Sequence, residues 1–192
     1  MASQTEIINA ALLKLGEDPV ASIDEDSAAG HLAKRTFSML RDAVLSSHTW
    51  NFAIRRASLA VNATAPTWGY TQAYNLPSGP DAALRVLEVN GEDETTGKWK
   101  VEGRTIVTDL STPLEIRYIA RTDIYGDYPP LFSEALASRL AYEWAIGIDG
   151  HVQDRQIFGR EYREKIAEAR SADGQEGIPD AVEANLWINS RF

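Results

Sequence analysis

Pro130-Leu-Phe-Ser-Glu-Ala-Leu-Ala-Ser-Arg-Leu-Ala-Tyr-Glu-Trp-Ala-Ile-Gly-Ile148 constrains the fold more than any other stretch of the chain. Phe132, Leu136, Leu140, Trp144 and Ile148 recur every four residues, and Ala135, Ala137, Ala141 and Ala145 fill much of the remaining surface. Only Glu134, Arg139 and Glu143 carry charge. A helix that is apolar on more than one face is buried among several neighbours. Pro130 suits a first helical position, where its missing N–H would have no intrahelical partner. The alanines allow close helix approach, and the large residues fill the gaps between helices. The stretch therefore predicts a central core helix, a scaffold with no chemistry of its own.

The flanking segments predict what packs around it. Ser3-Gln-Thr-Glu6 is a capping box, in which the serine accepts the N3 amide proton while the glutamate reaches back to the cap. Ile8, Ala11, Leu12 and Leu15 then share one helical face, and Gly16 is a natural left-handed C′ residue. The first helix is Gln4 to Leu15. A loop leads to a second helix, from about Ser27 to Ser46, capped by Asp24 or Asp26, with Leu32, Thr36, Met39, Leu40, Ala43 and Val44 at helical spacing. Asp24-Glu-Asp26 looks like the start of a calcium loop, but Ala28 and Ala29 stand where a ligand and the turn glycine belong. The acids are read as a cap and a complement to the helix dipole.

From Ala57 to Arg121 the composition shifts toward glycine, proline, β-branched and aromatic residues. Leu59 to Val61 is a weak strand, and Tyr70 to Leu76 another, ending at Pro77-Ser-Gly-Pro-Asp. Leu84 to Val89 runs into the turn signal Asn90-Gly91. Trp99 to Glu102 and Thr105 to Thr108 flank Gly103-Arg104 as a hairpin. Leu114-Glu-Ile-Arg-Tyr-Ile119 alternates apolar and charged residues, so one face is buried and one wet. These signals predict a compact antiparallel β region of about four or five strands.

A fourth helix follows from about Gln153 to Ala172, with Phe158, Tyr162, Ile166 and Ala169 as its apolar stripe. Glu161–Lys165 and Arg160–Glu164 stand four apart and support its exposed face by roughly a few tenths of a kcal/mol each. Ser171-Ala-Asp-Gly174 ends it. The remainder is polar and interrupted by Pro179, yet it carries Ile178, Val182, Leu186, Trp187, Ile188 and Phe192, more large apolar residues than a disordered tail normally holds. The expected fold is α+β: an antiparallel four-helix bundle (residues 1–56 and 122–173) with an inserted antiparallel β subdomain (57–121) and an extended C-terminal tail (174–192).

Charge and composition narrow the function. The chain has 19 basic and 28 acidic residues, a formal charge of −9, which argues against general affinity for nucleic acid. It has no cysteine, hence no disulfide framework and no thiolate metal site. No run reaches the roughly eighteen uncharged apolar residues of a membrane span, and the polar N-terminus lacks a signal-peptide pattern. His31, His48 and His151 lie far apart, and no nucleophile elbow, P-loop or dinucleotide fingerprint is present. His48 beside Trp50 is a candidate base, with a structural role as the plainer reading. Arg55-Arg56 is the one basic doublet near aromatics, a candidate phosphate contact or, given the acidic excess, a salt-bridging pair.

Several segments together resemble the tail tubular protein A family of short-tailed bacteriophages. Thr5-Glu-Ile-Ile-Asn-Ala-Ala-Leu-Leu-Lys-Leu-Gly16 with Pro19-Val-Ala-Ser-Ile-Asp24 is similar to its opening. Leu40-Arg-Asp-Ala-Val-Leu and His48-Thr-Trp-Asn-Phe-Ala53 match the next block, with Thr49 where a proline is common. Trp68-Gly-Tyr, Tyr74-Asn-Leu-Pro77, Leu84-Arg-Val-Leu, Val101-Glu-Gly-Arg104 and Phe132 to Ala141 follow in order, so the resemblance spans about residues 3 to 170. It implies a head-to-tail adaptor in the virion tail, assembled in the bacterial host cytoplasm. Such proteins form a ring, usually of twelve subunits, between the portal protein and the tail nozzle protein. DNA passes through without specific binding, and an acidic lumen avoids trapping it. The resemblance also assigns the C-terminal residues Ile178, Val182, Leu186, Trp187, Ile188 and Phe192 to the portal, and exposed Trp68, Tyr70 and Trp99 to the nozzle. No catalytic residue, cofactor, metal or membrane contact is expected. The alternatives are a tail-associated cell-wall or polysaccharide hydrolase, which needs a carboxylate pair with one raised pKa, and a regulatory bundle with an enclosed apolar ligand pocket.

Overall fold

The computed structural model describes residues 2–148 and 152–176. In chain order these form α1 (Gln4–Leu15), α2 (Ala28–Ser46), β1 (Ile54–Leu59), β2 (Gln72–Asn75), β3 (Ala83–Val89), β4 (Glu92–Asp93), β5 (Trp99–Glu102), β6 (Thr105–Thr108), β7 (Leu114–Ala120), α3 (Pro130–Ile148) and α4 (Val152–Glu176).

α1 closes at both ends by local chemistry. Ser3 Oγ accepts the Glu6 N–H while the Glu6 carboxylate accepts the Ser3 N–H, and this bond holds the Glu6 carboxyl below its ordinary pKa. Gly16 adopts φ 74° and returns its N–H to Leu13, a conformation other residues reach only with strain. α2 is capped by Ser27, whose hydroxyl accepts the Gly30 N–H at 3.1 Å. That corrects the expected Asp24 or Asp26 cap. Those acids instead pair with side chains of the helix's first turns, Asp24 with Lys34 at 2.7 Å and Asp26 with His31 at 3.2 Å.

α3 is the hub that its sequence predicts. Phe132, Leu136, Leu140 and Trp144 are buried together with Ala135, Ala137, Ala141 and Ala145. α1, α2 and α4 all pack against it. Trp144 Nε1 donates to Thr36 Oγ1 of α2 at 2.9 Å, and Gly159 of α4 lies so near the Tyr142 ring that a Cβ there would stand 3.0 Å from it.

The helices do not make the expected four-helix bundle. Two antiparallel sheets, both drawn from the stretch between α2 and α3, complete the fold: β1-β7-β3-β4 and β2-β6-β5. The four-stranded sheet joins the helical core itself. Ile119 is buried among the helix residues, with Ile54, Leu84 and Leu87 packed against the same cluster, and α2 lies against β3 and β7. The physical reason is that a sheet with apolar residues on both faces needs cover on both. Along β7, Leu114, Ile116, Tyr118 and Ala120 face the second sheet, where they pack with Tyr74, Trp99 and Ile106. On its other face Ile119 meets the helices, while Glu115 is exposed and Arg117 half-buried. The layers are therefore helices, four strands, three strands.

Several strands match their sequence signals. The β5–β6 hairpin turns at Gly103-Arg104 in the expected register, Glu102 opposite Thr105. Asn90 (φ 51°) and Gly91 (φ 78°) turn β3 into β4. β1 differs: it starts at Ile54 and pairs along its length with β7, Ile54 opposite Ile119 and Leu59 opposite Leu114, where the sequence suggested only a weak strand at residues 59–61.

α4 also departs from expectation. It continues through Gly174 to Glu176. The expected Glu161–Lys165 pair gives way to other partners: Glu161 pairs with Lys14 of α1, and Lys165 with Glu134 of α3 at 3.0 Å as well as with Glu168 of α4.

Candidate functional site

The chain from α2 to β1 and the last turn of α4 build a polar junction. Asp173 is 6% exposed. Its Oδ1 accepts the Asn51 N–H at 2.9 Å, while Asn51 Nδ2 donates to the Asp173 carbonyl at 2.7 Å. Asp173 Oδ2 lies 3.3 Å from His48 Nε2, and Arg170 donates to the carbonyl and hydroxyl of Ser47. Thr49 Oγ1 accepts from Arg85 Nη2 of β3 at 2.8 Å, a bond a proline at this position could not provide. Burial pushes the His48 pKa below its ordinary value; Asp173 opposes the shift, and Arg170 and Arg85 add to it.

The junction fastens the last turn of α4 to the chain that leaves α2. His48 stacks edge-on against Trp50 at 4.7 Å. Trp50 packs edge-on against Phe132 at 4.9 Å and donates Nε1–H to the Val44 carbonyl. The cavity beside it, bounded by Trp50, Pro130, Phe132, Asp173 and Glu176, holds only about 80 Å³, well under the roughly 300 Å³ of a small-molecule site. Asp173 itself escaped sequence reasoning. One signal was available: an acid in the last turn of a helix opposes the macrodipole and calls for a partner.

A second network ties α2 to the exit of β7. Arg41 is 3% exposed and pairs with Asp42 at 2.9 Å and with Asp123, while Arg121 Nε donates to Asp42 at 2.9 Å. Burial acts against the Arg41 charge, but Asp42 and Asp123 outweigh it and hold the guanidinium pKa above its usual value. Such a buried pair fixes geometry more than it adds stability. Sequence reading passed over it because the partners are about 80 positions apart in the chain.

The residues expected to face a partner separate into two kinds. Trp68 is 87% exposed on the segment between β1 and β2. Both ends of that segment are held: Val61 bridges Tyr74, Asn62 N–H donates to the Ala73 carbonyl at 2.8 Å, and the Thr71 N–H and hydroxyl both donate to Asp109. Tyr70 is half-buried beside it. The two rings border an open polar trough of about 500 Å³ with Asn62, Lys100, Glu102 and Thr105. Trp99, by contrast, is 1% exposed and is core. It packs between the sheets and donates Nε1–H to the Glu92 carbonyl at 3.0 Å, so its expected place on an outer surface is corrected. The four-stranded sheet covers the face on which its ring lies.

Arg55 turns back to donate to the Phe52 and Ile54 carbonyls. Arg56 is exposed at an open groove beside Arg117, Glu88 and Glu115, where Arg117 pairs with Glu88. The doublet therefore splits between two faces of β1 and forms no shared anion site. Among the described residues, the two carboxyls with shifted pKa, Glu6 and Asp93, are both lowered by hydrogen bonds, to Ser3 and Thr95 respectively. His151 and the six C-terminal residues Ile178, Val182, Leu186, Trp187, Ile188 and Phe192 lie outside the described residues.

No protein-family model matches the chain, and a search of curated proteins finds no match to it.

Proposed function

We propose that the chain is the structural adaptor of a short-tailed phage virion, a ring subunit that joins the portal to the tail nozzle while DNA passes through. The observation that carries the reading is where the sequence blocks behind the resemblance lie. Ile8 and Leu12 from the first block, Leu40 and Val44 from the second, Trp50 and Ala53 from the third, and Phe132, Leu136, Leu140 and Ala141 from the last share one buried core. Blocks far apart in sequence thus meet in one framework, and that supports the reading. Around that framework the Trp68 segment is a projecting aromatic surface, and the end of α4 is pinned where the C-terminal segment leaves it. The excess of negative charge suits a surface that DNA slides past. No described residue favours the hydrolase alternative.

The test is assembly. The full chain mixed with portal protein should give one discrete ring complex by native mass measurement, and no clearing on a peptidoglycan or polysaccharide zymogram. A chain cut after Glu176 should keep its fold and lose portal docking. The cut belongs there and not after Ala172, because Asp173 is part of the fold. Failure of the full chain to engage portal would sink the reading, and sustained clearing would move it to the hydrolase.

A further inference from the structure

Three arginines gather on one side of α4. Arg155, Gln156, Gly159, Arg160 and Arg163 line an open cavity of about 430 Å³ together with Tyr142 of α3. The lining holds three cations, an amide and a phenol, and no acid. Arg160 and Arg163 are exposed and stand three apart, so they are like-charged neighbours on the helix surface. The sequence offers Glu164 four residues after Arg160 as a partner. Among the described residues, neither Arg160 nor Arg163 makes an ion pair. The acids that outnumber the bases in the chain as a whole leave this strip uncovered.

The third arginine is held in place. Arg155 lies over the Tyr142 ring, 4.7 Å from its centroid. Glu143 stands 3.9 Å from Arg155 but pairs more closely with Arg139, at 2.7 Å. Gly159 lets the ring come that near, since a Cβ there would stand 3.0 Å from it. A planar guanidinium stacked on a ring is already oriented, and it loses less freedom when it takes a ligand.

Residues 155 to 163 span about 12 Å of helix. One strand of a DNA duplex carries a phosphate every ~3.4 Å along its axis, so three forks over that length match two or three successive phosphates. Guanidinium forks take phosphate oxygens two at a time. A strip of cations with no acid among them, in an open trough, fits a regular polyanion that runs along it.

We infer that this strip of α4 is a contact for the phosphate backbone of DNA, weak and independent of base sequence. The formal charge of −9 opposes any broader approach, and a weak contact is what moving DNA requires. Its place in the virion rests on the adaptor reading, which brings DNA through the ring; the contact itself belongs to the free chain.

The test is a titration of the full chain into a fluorescein-labelled duplex of about 20 base pairs, in two unrelated sequences, starting at about 50 mM salt. Both duplexes should bind alike, with log K falling against log salt at a slope of roughly −2 to −3. Arg160→Gln with Arg163→Gln should lower affinity at least about fivefold and bring the slope close to roughly −1. Arg56→Gln, exposed at the sheet groove, should stay within about twofold of wild type. Urea unfolding checks that the variants keep their fold. Absence of salt-dependent binding, or an equal loss in Arg56→Gln, would overturn the inference. A labelled hexaglutamate peptide that binds through Arg160 and Arg163 where the duplex does not would hand the strip to an acidic protein segment instead. A chain that binds no duplex yet forms a ring with portal loses this contact and keeps the adaptor reading. A chain that binds duplex through these arginines yet never engages portal keeps the contact and loses the reading.

Discussion

Asn51 and Asp173 bind each other twice, through the Asn51 N–H to the Asp173 carboxylate at 2.9 Å and through the Asn51 side-chain amide to the Asp173 carbonyl at 2.7 Å. The pair joins the exit of α2 to the last turn of α4 across 122 residues of chain. Asp173→Ala leaves the Asn51 N–H without its acceptor and removes a charge-assisted, part-buried bond. The expected loss is roughly 2–3 kcal/mol, read as a fall in the urea midpoint at neutral pH. Asp173→Asn keeps an acceptor and should lose less. If alanine costs no more than a typical surface substitution, the junction is not a fastening.

His48 gives the same junction a pH dependence. Burial lowers its pKa in the folded protein, whereas the unfolded chain takes up the proton near 6.5. Below that value the unfolded state binds more protons than the native state, so stability present above it is lost as pH falls toward the folded pKa. His48→Gln, which never takes up the proton, should flatten this part of the curve. The measurement is unfolding free energy from about pH 7.5 down to 5.5, wild type minus variant. A difference that does not change across the window would mean Asp173 offsets the burial completely.

What the sequence made legible was local. The Ser3–Glu6 box, the Gly16 cap, the limits of α3 and the Gly103-Arg104 hairpin each rest on neighbours within a few positions. Strand neighbourhood rests on distant residues, and there the reading failed. Alternation in Leu114–Ile119 shows that β7 has two unlike faces, but not that a second sheet covers one and helices part of the other. β1 begins Ile54-Arg55-Arg56, two charges that hid its pairing with β7. Gly174 reads as a stop signal, yet the Asp173 anchor outweighs its poor helix propensity and α4 continues. The predicted Glu161–Lys165 pair lost to Lys14 and Glu134 for the same reason.

Leu140→Ala tests whether α3 is scaffold or interface. Leu140 is fully buried in the helical core, so the truncation should cost roughly 2–5 kcal/mol, depending on how far the site relaxes. Ring formation with portal should then fall only in proportion to the unfolded fraction, and recover at lower temperature or with a stabilising osmolyte. A variant of normal stability that still fails to assemble would make this face of α3 a contact surface, against its burial.

Trp68 and Trp99 make the sharpest paired test, because each lies within two residues of a glycine in the β region and their burial is opposite. Trp99→Ala empties a space between the two sheets and orphans the Glu92 carbonyl, so roughly 3–5 kcal/mol of stability should go. Trp68→Ala removes an exposed ring from an anchored segment and should leave stability within about 0.5 kcal/mol. If the Trp68 segment meets the nozzle, the same change should weaken nozzle association while portal docking stays intact. That is because a large aromatic side chain buried in a partner is worth roughly 1.5–3 kcal/mol before ordering costs. Urea unfolding and nozzle pull-down on both variants separate the roles. A Trp68 variant that binds nozzle as well as the wild type would remove this residue from the interface, and a Trp99 variant of unchanged stability would contradict the packing between the sheets.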